Sequence, residues 1–169
     1  MAIYYGDGSN SNSGRVIQVV SSTYTNADVV GSNNSYTAYN NNLSVLITPK
    51  ETGSKILITC HVMLMTLSSR DSQGIVIFKD GVVFDSMRGQ ADQSRSRLLS
   101  GTYVSDNDNA MPVSGQFLHS PNTTSQVRYT VGLFSHSNSN VAMNRDWNYS
   151  NGSASCRHIS TLTCMEIAN

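Results

Sequence analysis

The stretch SKILITCHVMLMTL, residues 54–67, constrains the fold more than any other part of the chain. Written with a period of two, it sets Ile56, Ile58, Cys60, Val62 and Leu64 on one face and Leu57, Met63, Met65 and Leu67 on the other. That is a long strand with two apolar faces. Thr59, His61 and Thr66 interrupt it, so it falls short of the roughly 20 apolar residues of a membrane span, and no membrane insertion is expected. Composition points to strands elsewhere too. Ser, Asn and Thr make up 57 of the 169 residues, against two Glu, three Lys and eight Ala, which is turn and strand chemistry and excludes a coiled coil. An apolar content of 38%, gathered into runs of strand length, excludes a disordered chain.

Further runs repeat the pattern at short intervals. RVIQVVSST opens at Arg15, and LSVLITP puts Leu43, Val45 and Ile47 on one face before Pro49 ends it. QGIVIFKDGVVFDS reads as a hairpin, because Asp80-Gly81 supplies the positive φ values of a type I′ turn. A strand is expected around Leu98–Val104, then VSGQFLHS and QVRYTVGLFSH, and HISTLTCMEIA closes the chain with Leu162, Cys164 and Glu166 on one face. The segments between, including 135–156, read as polar loops. No strand alternates with a helix, and no internal repeat is present. The expected fold is all-β: a single antiparallel jelly-roll sandwich of about eight to ten strands over residues 15–169, behind a short extended N-terminal arm, residues 1–14.

In such a sandwich each sheet buries one face and wets the other. Leu57, Met63, Met65 and Leu67 would therefore face water in a monomer, and an exposed apolar patch marks an interface that identical chains close by cyclic symmetry. A homotrimer is expected, with these four residues at its interface.

Chemistry narrows the function. Eleven Lys and Arg balance eleven Asp and Glu, so nothing attracts phosphate and no nucleic-acid partner is expected. Cys60, Cys156 and Cys164 are odd in number and form no CxxC, so reduced thiols are expected rather than disulfides or zinc. His61, His119, His136 and His158 lie far apart, and the run Asp106–Asn109 lacks the spacing and final Glu of a calcium loop, so neither metal nor cofactor is expected. Arg88, Arg95 and Arg97 share a loop and offer contacts to anionic glycans or lipopolysaccharide, but Asp85 and Asp92 neighbour them and neutralise much of the field, so a solvated loop is expected. No nucleophile elbow, zinc-protease helix, phosphate loop or dinucleotide fingerprint appears, so the chain is read as a non-enzyme. Recognition surfaces remain. The 135–156 loop holds the single Trp, and Trp147, Tyr149, Arg145, Asp146 and Asn148 form a candidate ligand-binding set of aromatic planes beside amide and charged groups. The alternative is that Trp147 pins the loop against the sandwich edge. Ile3, Tyr4 and Tyr5 tip the polar arm, as a frayed terminus or as an anchor docked on a neighbouring chain.

GRVIQV at 14–19, ITP at 47–49, SKILI at 54–58, Thr163 and MEIA at 165–168 match, in order, the pattern of a jelly-roll domain common in tailed-bacteriophage virion proteins. The chain resembles that family over residues 14–169. The resemblance implies a trimeric jelly roll, similar to C1q or tumour-necrosis-factor modules, on fibre tips, appendages or the capsid surface. Its partners would be other virion proteins of tail or capsid and a host cell-surface glycan, and its location the virion, after synthesis in the bacterial host cytoplasm. The expected function is a non-enzymatic, homotrimeric surface appendage or tail-fibre component with a host-recognition role. The alternatives are a capsid decoration protein held by its N-terminal arm and a soluble lectin-like carbohydrate-binding module. Many members end much longer fibres, whereas this chain has its own Met1 and a short leader, which favours a small component attached through the arm.

Overall fold

The computed structural model describes residues 3–4, 10–11, 14–31, 35–38, 43–66, 71–104, 110–136, 140–145 and 156–169. In chain order its strands are β1 (Ile3–Tyr4), β2 (Asn10–Ser11), β3 (Val16–Tyr24), β4 (Asp28–Gly31), β5 (Thr37–Ala38), β6 (Ser44–Ile47) and β7 (Lys55–Thr66). They continue as β8 (Asp71–Lys79), β9 (Val82–Val83), β10 (Ser100–Val104), β11 (Met111–His119), β12 (Val127–Ser135), β13 (Asn140–Met143) and β14 (Ser160–Ile167). A single 3-10 turn, Asp85–Met87, is the helical element among the described residues.

Eight strands form the sandwich, in the orders β3-β14-β7-β11 and β6-β12-β8-β10, every pair antiparallel. Along the chain this joins the first of the eight to the last, the second to the seventh, the third to the sixth and the fourth to the fifth. A ribbon folded back on itself and then rolled into two sheets has that connectivity, which is the jelly roll. The expected all-β sandwich is therefore what the chain forms. Its core is the alternation read from sequence: Ile56, Ile58, Cys60, Val62 and Leu64 of β7 are buried against Ile75, Ile77, Val131 and Leu133 of the other sheet. The Asp80-Gly81 hairpin is present too, with φ of 50° and 85° and Phe78 opposite Val83.

The polar segments are less loop-like than their composition suggests. β4, β5 and β13 fall in stretches read as loops, and each extends a sheet at its edge. The N-terminal arm also departs from a plain extended leader, since Ile3–Tyr4 pairs antiparallel with Asn10–Ser11.

Two buried polar hubs tie neighbouring elements together. Glu166 has no exposed surface. One carboxylate oxygen accepts from Ser54 Oγ (2.6 Å), Lys50 N (2.7 Å) and Glu51 N (3.2 Å), and the other from Gln18 Nε2 (2.5 Å). Gln18 also donates to Thr48 O at 2.7 Å. The residues that carry the sequence resemblance thus meet at one point, where β3, the β6–β7 turn and β14 converge beside a β-bulge. Burial opposes ionisation of Glu166, but the four hydrogen bonds outweigh it and hold the carboxyl below the ordinary carboxylate range. At the opposite end, Asn144 is fully buried with φ of 59°; its amide donates to Tyr24 O (2.8 Å) and Asn26 O (3.2 Å) while its carbonyl accepts from Ser160 Oγ (2.7 Å).

Cys60 and Cys164 lie in the core, and no disulfide joins the three cysteines. Burial pushes Cys60 up to about 11 and Cys164 to about 12, so neither forms thiolate near neutral pH. Cys156 is exposed. A colorimetric thiol titration of the native protein should count one fast-reacting thiol and, in denaturant, all three; fast reaction of Cys60 or Cys164 would contradict their place in the core.

Candidate interaction face

The two sheets treat their outer faces differently. On β8 and β12 the outward residues Val76, Phe78 and Phe134 are buried, although they point away from the core. The chain covers them itself. Phe78 lies over Gly132, where a Cβ would stand 2.3 Å from its ring, and Tyr36 packs on Phe134 with ring centroids 5.3 Å apart. Between β9 and β10 the chain makes an excursion, residues 84–99, that brings Leu98 onto Gly74 and Gly101. Tyr36 pins it: its hydroxyl donates to Arg97 O (3.0 Å) and accepts from Arg97 N (3.2 Å), while the Arg88 guanidinium sits 5.1 Å over its ring. Arg88 and Arg97 both pair with Asp85, and Arg95 pairs with Asp92, so the two carboxylates expected to neutralise much of the loop's charge are the ones that engage it.

The β3-β14-β7-β11 sheet is open on its outer face. Its register aligns Val19, Met165, Leu57 and Leu118 in one apolar row across four strands. Val19 is 56% exposed and Leu118 48%, while Leu57 and Met165 between them are half-buried. Beside this row run Ser21, Thr163, Thr59 and Gln116, and then Thr23, Thr161, His61 and Ser114. Hydroxyls bond along the rows, Ser21 to Thr163 at 2.9 Å and His61 Nδ1 to Ser114 at 2.8 Å. None of these residues carries a fixed charge. Interface centres are depleted in charge in the same way.

Sequence reasoning located this face in part. Leu57 and Met63 are half-buried outer residues of β7, as expected, and Leu67 lies outside the described residues. Met65 is a correction. It has no exposed surface, and β13, read from sequence as loop, pairs with the end of β7 and sets Ala142, itself buried, beside it. Val19, Leu118 and Met165 were missed, since they become neighbours only through strand register.

Of the candidate ligand set, Arg145 is half-buried and bridges to Arg157, and Asp146, Trp147, Asn148 and Tyr149 lie outside the described residues. Of the anchor, Ile3 and Tyr4 form β1, and Tyr5 lies outside them. Among the described residues, no three His, Cys, Asp or Glu side chains gather where they could hold a metal ion. No protein-family model and no curated protein matches the chain.

Proposed function

We propose that this chain is a non-enzymatic structural component of a tailed-phage virion, a surface appendage of the tail-fibre type that assembles as a homotrimer and serves host recognition. The observation that carries the reading is the asymmetry between the two outer faces. The chain uses its own excursion to cover one and leaves the other open and crossed by an apolar row. A second copy is the economical cover for such a face, and identical chains satisfy one another by closed symmetry. The meeting of the resemblance blocks at Glu166 supports the family relationship, since a network spanning three elements demands those residues together.

Light scattering on a size-exclusion column tests it. The wild type should elute at about 55 kDa, three times 18.4 kDa. Val19→Glu with Leu118→Glu, both at exposed positions, should release folded monomers. A wild-type mass of 18.4 kDa would overturn the trimer.

A further inference from the structure

The excursion that covers the β6-β12-β8-β10 sheet also builds an open basin of about 730 Å³ at the β10 edge. Ser72 and Tyr103 are directly opposite in the β8–β10 ladder and share its outward face, and His136 donates its backbone N–H to Ser72 O at 3.0 Å. Tyr103 is 62% exposed, an unusual amount for an aromatic residue on a strand. Gln90, Ser94 and Ser96 also line it, with Leu98 and Leu99.

Two features separate this basin from an ordinary surface hollow. Its wall is fixed in advance, because Tyr36 holds the backbone of Arg97, and the Arg97 guanidinium donates to Gly89 O (2.7 Å) and to both oxygens of Asp85 (3.0 and 3.2 Å). A preformed wall lowers the ordering cost of binding. The second feature is that each of its guanidinium groups is already engaged. Arg97 and Arg88 share Asp85, and Arg95 engages Asp92, so the basin offers hydroxyl, amide and imidazole groups around an aromatic plane with most of its charge paired.

That chemistry selects its ligand. An anion would have to compete with Asp85 and Asp92 for the nearby guanidinium groups, and an apolar molecule would have Ser and Gln side chains to desolvate beside Leu98 and Leu99. A pyranose fits: its C–H face stacks on a phenol ring, and its hydroxyls both donate to and accept from Ser, Gln and His. The volume lies within the range of about 300–1,000 Å³ that small-ligand sites occupy. We infer that the basin between β10 and the 84–99 excursion binds a short, uncharged saccharide chain, with Tyr103 as the stacking platform and Gln90 as a wall contact. This site is separate from the outer apolar row, and it does not depend on the assembly.

Calorimetric titration of the full chain with neutral di- and trisaccharides of glucose, galactose and mannose, alongside sialylated and sulfated counterparts, tests the inference. At least one neutral sugar should bind. Tyr103→Ala should weaken it by about tenfold or more, Tyr103→Phe should retain most of the affinity, and Gln90→Ala should weaken it by about threefold or more. Thermal melts of these exposed-site variants should match the wild type. Failure of every neutral sugar to bind, preference for the charged ones, or binding indifferent to both Tyr103→Ala and Gln90→Ala would overturn it. Sugar binding by a monomer would keep this inference and remove the trimer, and a trimer that binds no sugar would do the reverse.

Discussion

Glu166→Gln should destabilise the protein by about 2–4 kcal/mol at neutral pH, read from urea unfolding. The native carboxylate accepts four hydrogen bonds, from two backbone N–H groups, a hydroxyl and an amide. A carboxamide of the same shape offers one acceptor oxygen and turns an NH₂ towards donors. At least one buried donor then loses its partner, and the remaining bonds lose the charge that strengthens them. The pH dependence follows the same cause. A carboxyl held below its ordinary range binds its proton more weakly folded than unfolded. Its contribution is therefore complete above the unfolded value of about 4.3 and is lost as pH falls through the lower folded value. The gap between wild type and variant should be widest at pH 6–8 and should narrow below about pH 4. A gap independent of pH would show that the charge is not what the network uses.

The position of Glu166 was half-legible in sequence. The alternation of HISTLTCMEIA already sets it on the face of Leu162 and Cys164, and a carboxylate on an apolar face must find donors. Which donors was illegible, because Gln18, Lys50, Glu51 and Ser54 come from two other elements. The same boundary recurs through the molecule. The β7 core face and the Asp80-Gly81 turn are local patterns and were readable directly. β4, β5 and β13 are strands of two to four residues in Ser- and Asn-rich surroundings, too short to show a period of two. Missing β13 is what left Met65 on an apparently open face. The apolar row needs register across four strands, and the basin needs an excursion whose polar composition describes a loop but not where it lies. Charge pairing of Asp85 with Arg88 and Arg97 was foreseeable from proximity; its consequence, a fixed wall, was not.

Asn144→Ala should cost about 3–5 kcal/mol, as much as emptying a large core side chain. Two separate effects combine in it. The residue sits at φ 59°, where Asn is tolerated and Ala pays about 1–2 kcal/mol. Its buried side chain also satisfies Tyr24 O, Asn26 O and the Ser160 hydroxyl, and Ser160 Oγ in turn accepts from Met63 N at 3.3 Å. Removing the carboxamide takes a donor from Tyr24 O and Asn26 O at the end of β3 and loosens the junction where β7, β13 and β14 meet. Asn144→Gly separates the two effects, since glycine adopts the left-handed backbone freely but supplies no side chain. It should therefore recover about 1 kcal/mol of the alanine loss and no more, measured by chemical denaturation of both variants. If glycine restored wild-type stability, the backbone would be the whole cause and the hydrogen-bond hub would contribute nothing. If glycine and alanine were equally destabilising, the left-handed conformation would carry no cost, and the hub alone would hold the junction of β3, β7, β13 and β14 together.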